Sequence, residues 1–503
     1  MKYRPLMILG SGSDVGKSMV VAALCRVFRQ AGVRVAPFKA QNMALNSFIT
    51  PEGGEMGRAQ VVQAQAAGLA PHVDMNPILL KPSSEVGSQV IVHGKVYGNF
   101  PAREYYRHKP RLGRKVMESF RRLQESHELI VLEGAGSAVE LNLQKNDLVN
   151  FNMARKADAA VILVADIDRG GIFAATVGTW RLLTRWQRRL LSAFIINKFR
   201  GDAALFDDGV RIIEKRTGRP VLGVLPYLSD LALPEEDSVA LGRKRCSRLD
   251  AADGCPRVGV VRLPHISNYT DFDPLEQEPG VALIYLTPPD SLDDLDLLII
   301  PGTKNTINDL NYLNHTGWSR RIQEYARRGG ELIGICGGYQ ILGDEVRDPL
   351  GVEGPPGSAP GLGLLPVATT LAGEKTTTQV EALVPKSEEK IRAYEIHMGV
   401  TTAQGPGRPA FIIVSQNGQP VKTPDGWVDE GGNVWGTYLH GLFDNDGFRR
   451  DLLARIRARQ GKTAAPQSSS WSYRDFVETQ LDRLADTFRK HVDVEKIWGM
   501  IKG

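Results

Sequence analysis

Two short stretches of this 503-residue chain carry side chains able to do chemistry. The first is GSGSDVGKS, residues 10–18. Its small residues let backbone N–H groups approach phosphate oxygens, Lys17 can reach terminal phosphates, and the Ser18 hydroxyl can ligate Mg²⁺. The candidates for nucleotide contact in this loop are Gly10, Ser13, Asp14, Val15, Gly16, Lys17 and Ser18. The strict phosphate-loop pattern places a glycine where Ser11 stands, and Gly10 comes one residue earlier, so the loop is a longer variant. The second stretch is GICGGYQ, residues 334–340, which sets Cys336 among glycines between an apolar run and a helical one. Such an elbow exposes a nucleophile and favours its thiolate at a helix N-terminus. A cysteine that only packs would not need those glycines. Its general base should be a histidine distant in sequence. His440, ending NVWGTYLH, is the best of the nine histidines, with His397 in YEIHMG as competitor. Backbone N–H groups of Gly302, after LDLLIIP, and of Gly337 are candidates for an oxyanion hole.

The elements that must position these residues follow from periodicity. Apolar runs at 6–10, 129–133, 159–166 and 192–197 alternate with helical-period segments such as 17–30. A second series runs through 258–263, 295–301, 331–335 and 433–439. Alternation of this kind predicts an α/β fold with two doubly wound, mostly parallel sheets. The expected division is a phosphate-binding domain over 1–235, a polar linker over 236–256, a cysteine-bearing domain over 257–450, and a C-terminal helical segment over 451–503. In that last segment a Ser-rich stretch at 466–470 precedes Ser472, whose spacing to Asp475 suggests a helix cap. Phe476, Leu481, Leu484, Phe488 and Val492 then trace one helix face. Trp180, Leu183, Trp186 and Leu190 likewise fit one helix face, which outweighs reading the basic stretch 180–191 as a nucleic-acid patch.

Composition narrows the setting. Lys and Arg exceed Asp and Glu by 62 minus 57, five charges, too few to imply a nucleic-acid partner. Cysteines at 25, 246, 255 and 336 form no Cys-x-x-Cys pair and suggest a reducing, cytoplasmic setting rather than a disulfide scaffold. No run approaches the roughly 20 apolar residues of a membrane span, so no membrane partner is expected.

The long loop, VRVAPFKAQN with Lys39, and LIVLEGAGS with Glu133 together resemble the dethiobiotin synthetase-like group of P-loop enzymes. That resemblance implies ATP as cofactor, Glu133 as a second Mg²⁺ ligand beside Ser18, Lys39 as a phosphate or substrate contact, and Asn197, closing SAFIIN, near the adenine. The later segments NYTDFDPL, PGTKNT, GICGGYQ, YEIHMG and YLHG resemble class I glutamine amidotransferases of the cobyrinate-amidating branch. The resemblance implies glutamine as nitrogen donor and a corrinoid, adenosylcobyrinic acid a,c-diamide, as acceptor. Its b, d, e and g carboxylates would each be amidated at the expense of one glutamine and one ATP. The enzyme that forms the a,c-diamide is the nearest alternative; PFKAQN and DMNPILLKP favour the later step. A partitioning-type ATPase would carry a second lysine where Ser11 and Gly12 stand. Lys39, Gln41, Asn42 and Asn46 are the candidates for the rim of the corrinoid site. The glutamate usual two residues after the histidine is replaced by Leu442, so Glu395 or a backbone carbonyl is expected to orient His440.

Overall fold

The computed structural model describes residues 2–82, 87–144, 147–234, 255–288, 290–385, 387–459 and 471–502. The expected linker lies outside these except for residues 255 and 256, as do Cys246 and the Ser-rich stretch. In the first half, six parallel strands stand in the order Val221–Pro226, Leu191–Phe199, Ala160–Asp166, Leu6–Gly10, Leu129–Glu133, Val35–Phe38. Successive side chains of a strand point to opposite faces, and here both faces are covered. Leu6, Ile8, Val131 and Ile162 join a core with helix Lys17–Gln30, whereas Met7, Leu9, Leu132 and Leu163 pack with Leu112, Val116 and Phe120 of helix Ala102–Ser126. Strands apolar at every position are what a doubly covered parallel sheet requires.

The second half repeats the principle. Ala282–Leu286, Arg257–Val261, Leu297–Ile300, Glu331–Ile335 and Val434–Thr437 are parallel, with Trp427–Val428 antiparallel at the edge. The expected α/β class with two parallel sheets is therefore observed. Three further sheets were not anticipated, the smallest a two-stranded pairing of Ser47–Ile49 with Glu55–Gly57. A mixed seven-stranded sheet is built around the long hairpin Val367–Leu383 and Lys390–Ala403 and includes Leu439–His440. A four-stranded sheet of Asn42–Met43, Ile78–Pro82, Gly87–Val92 and Lys95–Pro101 stands against the first half.

The C-terminal helices Tyr473–His491 and Val494–Lys502 return to the first half, where Leu481, Leu484, Phe488 and Val492 join its core as expected. Val477 is buried where Phe476 is only half-buried. Arg26 fastens this return through Glu478 and Asp482, at 2.8 and 2.7 Å. The stretch 180–191 departs from the expected single helix. It stops at Leu182 and restarts at Arg185, because Thr184 and Gln187 form a reciprocal cap that starts a new helix. Trp180, Leu183, Trp186 and Leu190 nevertheless all pack on the core.

Candidate functional site

The loop after strand Leu6–Gly10 ends at Gly16, whose φ of 94° turns the chain into helix Lys17–Gln30 without a side-chain cap. The first N–H groups of a helix have no partner within it, so this end presents donors and the positive end of the dipole to an anion. Lys17 Nζ donates to the carbonyls of Gly12 and Gly136, each at 2.9 Å, spanning from the loop to the segment after Glu133. Glu133 sits at the carboxyl end of its strand and is 1% exposed. It accepts hydrogen bonds from Ser18 Oγ at 2.8 Å, Lys39 Nζ at 2.9 Å and Gln63 Nε2 at 2.5 Å. Burial alone would raise its pKa, but Lys39, Gln63 and Ser18 together hold it below the usual carboxylate value.

These residues open on a cavity of about 840 Å³. Ser13, Asp14, Gly16, Lys17, Ser18, Lys39, Gln41, Asn42, Glu133 and Asn197 all line it. Gly10 and Val15 do not. Gly10 stands behind the loop, where a side chain would meet Gly12 O and Val15 at 2.8 Å, so its part is to let the loop close. Asn197 ties itself to the loop by donating to Val15 O at 2.9 Å. Tyr105, Tyr106, Phe100 and Lys109 add an aromatic and cationic wall that the sequence reading did not single out. Asn46 is a correction. It is 1% exposed, lies away from this cavity, and accepts from the N–H of Tyr269 at 3.2 Å, so it joins the two halves. Beyond Met43 the chain turns towards the second half, and Ser47 N donates to Asn268 Oδ1 at 3.0 Å.

Strand Glu331–Ile335 delivers Cys336 to the N-cap of helix Gly337–Leu342 with φ 52° and ψ −110°. A non-glycine residue reaches positive φ only at a cost, and such strain concentrates where a side chain must be presented. The crowding beneath explains Gly338, since a Cβ there would lie 2.0 Å from Ile300 O. Cys336, Gly337, His397 and His440 line a pocket of about 40 Å³. Gly302 does not line this pocket but stands beside it, where a Cβ would lie 3.4 Å from His440 Cε1.

His440 is 1% exposed, and its Nδ1 lies 2.6 Å from Asp271 Oδ2. Among the described residues its Nε2 has no hydrogen-bond partner. Burial opposes the charged ring, but Asp271 and then Cys336 outweigh it and raise the pKa from 6.5 to about 10. The arrangement can hold a proton on the histidine and pass it to a nitrogen leaving the carbon to which the sulfur has bonded. Asp271, not Glu395, is therefore the group that orients His440. Glu395 accepts instead from Thr378 at 2.6 Å and Gln416 at 3.1 Å, and stands 3.6 Å from His397 Nε2. His397 is stacked on Tyr438 with ring centroids 3.8 Å apart. Asp271 lies inside the NYTDFDPL segment, and its place in that segment was the one available signal.

A phosphate-binding loop on one parallel sheet and a cysteine elbow with a carboxylate-oriented histidine on another define a nucleotide-binding domain joined to a glutamine amidotransferase domain. The profiles of known families agree. Residues 6–240 match the CobQ/CobB/MinD/ParA nucleotide binding domain, and residues 257–448 match the CobB/CobQ-like glutamine amidotransferase domain. The chain is 54% identical to a cobyric acid synthase from Syntrophobacter fumaroxidans, covering 99% of this chain and 98% of that one. It is 49% identical to one from Pelotomaculum thermopropionicum, over 99% and 96% of the two chains. It is 47% identical to one from Salmonella typhimurium, over 99% and 98%. The chain belongs to the cobyric acid synthase family, amide-forming ligases of cobalamin biosynthesis. Among the described residues no helix is long and apolar enough to cross a membrane.

Proposed function

We propose that this enzyme uses glutamine and ATP to amidate the b, d, e and g carboxylates of adenosylcobyrinic acid a,c-diamide. The observation that carries the reading is the pairing of two unlike cavities in one chain, one beside Lys17 and Glu133 and one beside Cys336 and His440. In the smaller, the Cys336 sulfur attacks the carboxamide carbon of glutamine, and N–H groups of Gly302 and Gly337 receive the developing oxyanion. His440 gives its proton to the departing nitrogen while Asp271 holds the ring. Ammonia leaves, and water releases glutamate from the thioester.

In the larger cavity ATP lies along Gly16, Lys17 and Ser18 with its base towards Asn197. Lys17 exchanges the carbonyls of Gly12 and Gly136 for phosphate oxygens. A carboxylate is a poor electrophile, so its oxygen takes the terminal phosphoryl group of ATP, ADP departs, and the oxygen of the acyl phosphate becomes a leaving group. Ammonia then attacks the acyl phosphate carbon, and inorganic phosphate departs. The hydroxyl of Ser18 and the carboxylate of Glu133, 2.8 Å apart at the helix N-terminus, are hard oxygen donors suited to Mg²⁺. The ion would supply charge neutralisation on the transferring phosphates. Lys39, Gln41 and Asn42, with Tyr105, Tyr106 and Lys109, offer a polar and aromatic rim to a corrinoid with peripheral carboxylates.

The test incubates the protein with Mg-ATP, glutamine and the a,c-diamide and follows product mass. Four successive amidations are expected. Reaction only with a substrate still bearing free a and c carboxylates would identify the earlier enzyme instead.

A further inference from the structure

The two cavities are separated by the small four-stranded sheet, and the side chains of its antiparallel strands Ile78–Pro82 and Gly87–Val92 alternate between them. Leu80 and Val90, opposite each other across strands Ile78–Pro82 and Gly87–Val92, line the larger cavity. The next pair in the register, Lys81 and Gln89, points the other way. Lys81 lines the Cys336 pocket, and Gln89 reaches Met398, which also lines it. One layer of backbone thus stands between the site that would release ammonia and the site that would consume it.

The Lys81 face is held by a buried ion cluster assembled from both halves. Glu55, 1% exposed, accepts from Lys81 Nζ at 2.8 Å through one oxygen and from Lys375 Nζ at 2.6 Å through the other. Lys375 belongs to the long hairpin of the second half and also donates to Gln89 Oε1 at 3.3 Å. Burial and the lysines Lys81 and Lys304 push Lys375 down to about 7 even though Glu55 opposes them. Without Glu55, Lys81 and Lys375 would face one another in the buried junction with no carboxylate between them, an arrangement that burial disfavours. The far side of the sheet, with Leu80 and Val90, is apolar and suits a neutral molecule that must not be protonated on the way.

We propose that ammonia crosses at the Lys81 and Gln89 face of this sheet, and that Glu55 is a positioning residue coupling the two reactions by holding Lys81 and Lys375 across the junction. This rests on the proposed amidation. Glu55 touches neither glutamine nor acceptor in this scheme. Its loss leaves both chemistries possible and opens the junction, so ammonia escapes to solvent.

The experiment measures glutamate formed per amide formed, with Mg-ATP, glutamine and saturating a,c-diamide, for the wild type and Glu55→Gln. The wild type is expected to give one glutamate per amide; formation of no amide would sink the functional reading rather than the coupling role. Glu55→Gln is expected to raise the ratio several-fold while its rate with ammonium salt in place of glutamine stays near that of the wild type. An unchanged ratio, or an equal loss of the glutamine- and ammonia-supported rates, would overturn the proposal. Should Glu55→Gln fail to fold, Lys375→Met is read by the same ratio, and an unchanged value there overturns it equally.

Discussion

The cavity at the phosphate-binding loop measures about 840 Å³ and the one at Cys336 about 40 Å³. The first is built mainly by the first half, around the strand, loop and helix that carry Lys17 with Glu133 on the neighbouring strand, and Leu484, Thr487 and Phe488 of the C-terminal helix also line it. The second draws Lys81 from the first half and Cys336, Lys304, Lys375 and His440 from four separate segments of the second. A roomy site on one sheet edge can admit a nucleotide and a large acceptor without rearranging its frame. A closed site spread over a junction can be controlled by whatever moves that junction. The difference implies that the thiol reaction depends on the other half and that the phosphoryl reaction does not depend on the thiol.

Substitutions can break this contrast. The largest effect is expected for Lys17→Ala, which should depress both glutamine- and ammonia-supported amidation about 100-fold or more, as removal of a charge-stabilising donor does. Equal rates in the mutant and wild type would move phosphate binding elsewhere. Asp271→Asn should come next, lowering glutamine-supported turnover about 100-fold and sparing the ammonia-supported rate. The same pair affects stability. His440 is raised from 6.5 to about 10, so its charged pairing stabilises fully below pH 6.5 and is lost as pH rises through the folded value. Thermal melts should therefore show the wild type losing stability between these values relative to His440→Asn; parallel curves would contradict the pairing.

Leu481→Ala probes the C-terminal return, where Leu481 is fully buried against the first half. It should cost about 2–5 kcal/mol in denaturant unfolding of that half. A much smaller loss would show that the helix is not part of that core. Glu395→Ala should have the least effect on glutamine turnover, because Asp271 already holds His440. A loss as large as that of Asp271→Asn would return the orienting role to Glu395.

The same contrast governs what could be read from the chain. The phosphate loop and the cysteine elbow were legible because each is a strand, a turn and a helix start in one stretch, with the small residues demanded by close backbone approach. His440 was legible as a histidine ending an apolar run. Asp271 was not, since it stands 169 residues from His440 and no fixed spacing connects them. Asn46 was misassigned because it follows Lys39, Gln41 and Asn42 closely in sequence, while the backbone leaves the cavity at Met43. Glu55 and Lys375, 320 residues apart, were invisible for a further reason. Each is an ordinary charged residue, and only burial against a partner from the other half makes it unusual. The two parallel sheets were readable from doubly apolar strands, whereas the long hairpin, half-exposed along much of its length, carried no such pattern.

The most direct test of the division between the halves is the ammonia-supported rate of Cys336→Ala. Glutamine-supported amidation should fall about 10³-fold or more, as loss of a nucleophile does, while the rate with saturating ammonium salt should match the wild type. A parallel loss of the ammonia-supported rate, in a variant that melts like the wild type, would contradict two sites with separate chemistries.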